Sequence, residues 1–187
     1  SGEQFGVYIG NMNSKFQLGW SNTFTYKDFS LYFLINGKIG GKVISFTEAE
    51  LDKLGVSQRT ADARLAAENN NDLIWNGKPA MYMPDGNLAP INAYYQGIGG
   101  DVNATQYVYD ATNFRLRELS LGYTFRNLLG ASKNVSLSLI ARNLFFIYKD
   151  APVDPDISLS TQNGLGAFEI FNMPSARSFG ISLKANF

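Results

Sequence analysis

The sequence predicts an all-β protein: about five antiparallel strands in a sheet with lipid on one face and a wet interior on the other. Three observations carry this expectation. Apolar and polar residues alternate through five segments, the polar partners are small and neutral, and short connections take turns with long ones. Eighteen glycines and an aromatic content of 14%, mostly Tyr and Phe, suit strands joined by many turns.

After a loop over 1–15, the first alternating segment runs from Phe16 to Tyr26. Phe16, Leu18, Trp20, Phe24 and Tyr26 share one face; Gln17, Gly19, Ser21, Thr23 and Thr25 share the other. Lys27-Asp28 turns the chain into Phe29 to Ile39, where Phe29, Leu31, Phe33 and Ile35 align although Tyr32 and Leu34 blur the alternation. Residues 16–39 therefore read as a hairpin. The long connection 40–113 carries local signals of its own. Thr47-Glu48-Ala49-Glu50 fits a capping box for a short helix ended by Gly55, and Ser57 caps a second helix through Thr60, Ala63 and Ala67. Met83-Pro84-Asp85-Gly86-Asn87 reads as a turn. Gly40-Gly41 and Gly99-Gly100 lack the strand-to-helix context of a phosphate cradle and read as bends.

The second hairpin covers 114–143. Its first strand, Phe114 to Phe125, alternates Leu119, Leu121, Tyr123 and Phe125 with Glu118, Ser120, Gly122 and Thr124. The short polar stretch RNLLGASKN leads to Val135 to Asn143, where Val135, Leu137, Leu139 and Ala141 alternate with Ser136, Ser138, Ile140 and Arg142. A second long connection, 144–176, precedes the last strand, 177–187, which ends SFGISLKANF with apolar residues at Phe179, Ile181, Leu183, Ala185 and Phe187.

Two features point the apolar faces toward lipid. Rows of Ser, Thr, Gly, Asn and Gln lie opposite them, where a soluble sheet usually carries Lys and Glu. The long connections occupy alternate positions, so they emerge at one end of the sheet, an asymmetry typical of transmembrane barrels. With the C-terminus placed in the periplasm, Tyr26, Phe29, Tyr123, Phe125 and Phe187 gather at the periplasmic rim, where aromatics suit the wet boundary of a bilayer. A soluble β-sandwich with aromatics capping one end of its core is the alternative, acting as a glycan-binding module.

Composition narrows the chemistry. Sixteen basic residues balance sixteen acidic ones, leaving no electrostatic footprint for nucleic acid or an anionic surface. Neither cysteine nor histidine occurs, which removes disulfides, thiolate nucleophiles, imidazole bases and their metal sites. A carboxylate-dependent glycosidase is the remaining catalytic reading, and no acid pair sits on converging strand ends. The chain is therefore not expected to be an enzyme or to hold a cofactor. No apolar run approaches the roughly 20 residues of a spanning helix. Starting at Ser1 without a methionine or signal pattern, the chain reads as a processed or excised piece.

A few residues invite ligands. Asp150, Asp154 and Asp156 lie close enough for calcium, but their spacing lacks the glycine and Glu of a standard loop; otherwise they are solvated acids beside Pro152 and Pro155. Trp75, Tyr82, Tyr94, Tyr95 and Tyr107 in the first long connection either contact a sugar or protein partner or pack that connection into a satellite core, the favoured reading. Glu118 and Arg142, on inward faces of adjacent strands, can pair with each other, contact a plug or line the route, a structural pair being favoured; Arg115 and Arg117, near the outer end of their strand, either meet an acidic ligand or anchor a loop, the favoured reading.

The stretches FQLGWSNTFTYKDFSLYFLINGKIGGKVIS, GVSQRTADAR, YVYDATNFRLRELSLGYTF and LIARNLFFIYKDAPVDPDISLSTQNGLGAFEIFNMPSARSFGISLKANF, in that order, resemble the C-terminal part of SusC/RagA-type TonB-dependent outer-membrane transporters. The resemblance spans about Ile9 to Phe187. It implies the last strands of a 22-stranded barrel in a Bacteroidetes-type outer membrane, with the plug and the TonB-contacting segment elsewhere. It also implies energised import of glycans, oligosaccharides or peptides with a SusD-like surface lipoprotein. Phe187, in register with Phe179, Ile181 and Leu183, resembles the signal read by the barrel-assembly machinery.

Overall fold

A computed structural model describes residues 8–70, 73–83, 85–100, 104–127, 134–157, 159 and 165–186. In chain order the elements are β1 (Phe16–Tyr26), β2 (Phe29–Ile39), β3 (Lys42–Ser45), α1 (Phe46–Leu54), α2 (Gln58–Glu68), β4 (Ile74–Trp75), β5 (Lys78–Tyr82), β6 (Leu88–Pro90) and α3 (Ile91–Gly100). A 3-10 turn at Ala104–Tyr107 leads to β7 (Val108–Asp110), then β8 (Asn113–Phe125), β9 (Asn134–Lys149), β10 (Phe168–Glu169) and β11 (Ser178–Asn186). The architecture is mostly β, with antiparallel pairs predominating and β10 parallel to β3, and the described helices fall in the first long connection.

The chain divides into two compact units. One comprises Gly10–Lys42, Asp110–Ile157 and Met173–Phe187 and is built on a five-stranded sheet ordered β1-β2-β8-β9-β11. Every neighbouring pair is antiparallel. Lys27, at φ +53°, makes the tight turn between β1 and β2. The second hairpin departs from expectation, because β9 continues past Asn143 to Lys149. Alternation fails at Leu144-Phe145-Phe146, which is why that stretch reads as connection from sequence. The strand absorbs the irregularity as a bulge: Leu116 pairs with Phe145, Glu118 with Arg142, and Asn143 takes φ +52°.

The other unit takes in the described residues of Ser1–Ile9, Val43–Tyr109 and Ser158–Asn172. Its core is Ala67, Ile91 and Tyr95, with Ala63, Leu73, Met81, Tyr94 and Ile98 packed around them. Two three-stranded sheets, β10-β3-β7 and β4-β5-β6, accompany the three helices. The N-cap of α1 is Ser45 rather than Thr47; its hydroxyl accepts the Glu48 N–H at 3.2 Å. Thr47 instead donates to the buried carboxylate of Glu169 at 2.8 Å, as Ser45 does at 2.7 Å, tying β10 to the start of α1. Gly55 closes α1 at φ +71° and Ser57 caps α2 through the Thr60 N–H at 3.1 Å. In the turn after β5, the Met83 N–H donates to Asn87 and the Gly86 N–H to Met83; Pro84 lies outside the described residues.

Gly99-Gly100 is a helix end rather than a bend. A Cβ on Gly99 would meet the Ala49 carbonyl oxygen at 2.5 Å and the Lys53 Cβ at 3.0 Å, so α3 approaches α1 through the missing side chain. A Gly99→Leu change should therefore part α1 from α3 at a cost of about 1–3 kcal/mol. The check is amide hydrogen exchange, with protection falling in 46–54 and 91–100 while β8 and β9 keep theirs; unaltered protection in α1 would contradict this packing.

Candidate functional site

The register of the five-stranded sheet turns sequence alternation into rows. Phe24, Leu31, Leu121, Leu139 and Ile181 form one row across all five strands. Tyr26, Phe29, Tyr123, Leu137 and Leu183 form the next, and Asn22, Phe33, Leu119, Ala141 and Phe179 lie on the other side. These side chains touch one another within the face: Trp20 meets Phe33 edge-on at 5.1 Å and Phe24 stacks on Phe33 at 6.2 Å. Among the described residues of the unit nothing covers this face. Phe179, Ile181 and Leu183 are 76%, 74% and 70% exposed, and Trp20, Phe24 and Leu139 are exposed as well. An apolar surface of this extent marks a site that meets lipid or another apolar partner.

At the turn end of the sheet the aromatics cluster. Phe29 lies 4.6 Å from Tyr123, Tyr123 lies 4.7 Å from Phe125, and the Lys27 ammonium sits 5.4 Å from the centre of the Tyr26 ring. Phe187, placed at this rim from sequence, lies outside the described residues. The outer edges of β1 and β11 have no neighbouring strand among the described residues. β1 is eleven residues long without a charge or a proline, so it lacks the devices that protect the edge strands of soluble sheets.

The opposite face is polar and closely fitted. Thr25, Ser30, Gly122, Ser138 and Ser182 form a row, and a Cβ on Gly122 would meet the Ser30 hydroxyl oxygen at 2.5 Å. Arg142 donates to Glu118 at 2.9 Å, the cross-strand pair expected from sequence. The bulge at Arg117 reverses the parity of β8. Arg115 pairs with Asn36 and Phe146 before it, whereas Glu118 faces Leu34 and Arg142 after it, so odd and even positions contribute to the same polar surface.

Away from the turns, this surface gathers charge. Arg115 is buried; its guanidinium carbon lies 3.9 Å from the centre of the Phe146 ring, and it donates to Asp154 at 2.6 Å and to the Ser175 hydroxyl at 2.7 Å. Ser175 in turn donates its hydroxyl to Asp154 at 2.6 Å and its N–H at 3.3 Å. Asp156 faces Lys38 at 2.8 Å and lies 3.8 Å from both Arg115 and Arg117. Burial alone would raise the Asp154 carboxyl, but the hydrogen bonds from Ser175 and Arg115 outweigh it and hold the group below the ordinary aspartate range. Of the three acids read as calcium candidates, Asp154 and Asp156 thus have cationic partners, and Asp150 accepts the Asp110 N–H at 3.1 Å. Arg115 anchors the loop, as the sequence suggests; Phe146 and Ser175, which complete its surroundings, carry no signal in the sequence.

The loop aromatics divide. Tyr107 and Tyr95 are buried, and Tyr94 packs edge-on against Tyr95 at 5.2 Å. The Tyr107 hydroxyl donates to the buried Asp52 at 3.0 Å, and Arg59 lies over the Tyr107 ring at 5.4 Å. Burial first, and then the bond to Asp52, push the Tyr107 phenol well up. Trp75 and Tyr82, on β4 and β5, remain on the surface.

No family model matches the chain. The chain is similar to the TonB-dependent receptor P3 of Formosa agariphila, with 24% identity over 187 residues that cover 96% of this chain. The match takes in 17% of that protein, so the chain spans about a sixth of the length of this relative.

The Arg115–Asp154 pair gives a pH signature. Because the folded Asp154 pKa lies below its unfolded value of about 3.9, its contribution is complete at neutral pH and disappears as pH falls through the folded pKa. Proteolytic resistance of the 150–157 loop should accordingly hold above about pH 5 and drop in stronger acid, and Asp154→Asn should flatten that dependence. Arg115→Met, which leaves the carboxylate buried without its cation, should destabilise the loop by about 3–5 kcal/mol. A loop equally resistant in the Arg115→Met protein would refute the anchor.

Proposed function

We propose that the chain forms the C-terminal strands of a TonB-dependent outer-membrane importer. The observation that carries the proposal is a five-stranded antiparallel sheet with a largely bare apolar face, a fitted polar face behind it and, among the described residues, no strand at either edge. In hydrocarbon each unpaired edge group costs several kcal/mol, so such a sheet needs further strands on both sides and closes only as part of a larger barrel. An eleven-residue strand at about 3.3 Å per residue and a tilt of ~45° rises roughly 25 Å, the height of an apolar barrel band.

In this reading the barrel has 22 strands. The connections 40–112 and 150–177, which follow β2 and the extended β9, are extracellular loops and the C-terminus is periplasmic. Phe179, Ile181, Leu183 and Phe187 form the assembly signal on the closing strand. The remaining barrel and plug, TonB acting through the plug side, outer-membrane lipid and a SusD-like lipoprotein are the partners. The cargo is a glycan, oligosaccharide or peptide, and the surface aromatics Trp75 and Tyr82 are the loop groups open to cargo or lipoprotein. The resemblance of the sequence to SusC/RagA-type transporters and the distant likeness to a TonB-dependent receptor both support this assignment.

Extraction tests it. The protein should leave the membrane only with detergent and together with the rest of a barrel; a folded, monomeric chain in the aqueous fraction would sink the proposal. Phe179→Lys or Leu183→Lys should lower barrel stability by about 2–4 kcal/mol near the bilayer midplane. Unchanged insertion and stability in both would remove β11 from the lipid face.

A further inference from the structure

We infer that the polar face holds a binding site for a carboxylate group, so that the cargo is acidic; this rests on the importer reading above. The site is a recess of about 130 Å³ lined by Gln17, Asn36, Lys38, Asn113, Arg117 and Asp156, together with Leu18 and Gly37. It lies at the end of β1, β2 and β8 away from the short turns, with Gln17, Lys38 and Asn113 in one cross-strand row. Its volume is ample for a carboxylate.

Charge and unused donors argue for an anion. Arg115 and Asp154 neutralise each other behind the recess, leaving Lys38 and Arg117 against the single carboxylate of Asp156. Lys38 and Arg117 are 36% and 38% exposed, while Asp156 is 13% exposed, so the cations present the open surface. Arg117 gives one N–H to the Asn143 side-chain oxygen at 3.1 Å. Its 3.8 Å separation from Asp156 lies beyond hydrogen-bond reach, so guanidinium donors remain for a second acceptor. A planar guanidinium fork beside an ammonium, with one positive charge in excess, matches one carboxylate. Asp156 then acts as a resident counter-charge that offsets the repulsion between the two cations in the empty site and competes with an incoming carboxylate.

Two cargo chemistries carry such a group, acidic sugars and acidic peptides. The test titrates the full-length protein in detergent at low salt with digalacturonate against galactobiose, and with Glu-Glu against Gln-Gln, by isothermal titration calorimetry. At least one acidic probe should bind more tightly than its neutral counterpart. The pair in which the preference occurs identifies the cargo class. Lys38→Gln with Arg117→Gln should weaken that probe roughly tenfold or more, as expected for the loss of charged hydrogen bonds. Asp156→Asn should move affinity the other way, tightening the acidic probe several-fold and leaving the neutral one unchanged. Circular dichroism and detergent-extracted yield report whether each variant folds. No acidic preference in either pair, or a preference that survives Lys38→Gln with Arg117→Gln, overturns the site. Neither outcome touches the importer reading, which stands or falls on membrane extraction.

Discussion

The sheet depends on where its backbone hydrogen bonds go. Five strands satisfy one another internally, but the outer edges of β1 and β11 carry donors and acceptors with no strand beside them among the described residues. In water such edges invite aggregation, and natural sheets blunt them with charge, proline or short length. β1 uses none of these. An apolar face on the same strands adds a second unmet demand, since its rows find no covering layer within the unit. The proposed barrel meets both demands, with further strands continuing the sheet at its edges and lipid against its face.

The polar face answers a different constraint. Small hydroxyl side chains around Gly122 let neighbouring strands approach closely, since a Cβ there would meet the Ser30 hydroxyl oxygen at 2.5 Å. The most deeply buried charge of this face is paired. Arg115 is buried, and its stacking on Phe146, its bond to Asp154 and the Ser175 hydroxyl between them together offset the cost of removing a guanidinium from water. The bulge in β8 and β9 matters here because it changes which residues share a face within a single strand. It lets an Arg-rich strand end and a Glu118–Arg142 pair occupy one surface.

The second unit is a small folded body in its own right. Asp52 is its polar centre, accepting from Ser57 at 2.6 Å, from Tyr107 and from Arg59. The apolar cluster of Ala67, Ile91 and Tyr95 is modest, and hydrogen bonds donated to Glu169 and Asp52 also join segments distant in sequence. A long connection held in this way presents surface residues such as Trp75 and Tyr82 from a defined frame.

By itself the sequence determined the five long strands, apart from the end of β9, and their faces; the short strands of the long connections carried no such signal. Period-two alternation is a local property, and the bounds of β1 and β2 coincide with the alternating segments because each side chain's face follows from its parity. The Gly55 stop and the Ser57 cap were equally legible, since a cap reads only its own few residues. Tertiary structure decided everything that breaks parity or joins distant segments. The bulge extended β9 to Lys149. A competing bond to Glu169 took Thr47 away from the cap and left Ser45 there. Gly99 became a helix contact because α1 crosses it, and Arg115 found Phe146, Asp154 and Ser175 from three separate stretches. These outcomes depend on which surfaces meet, and local pattern does not encode that.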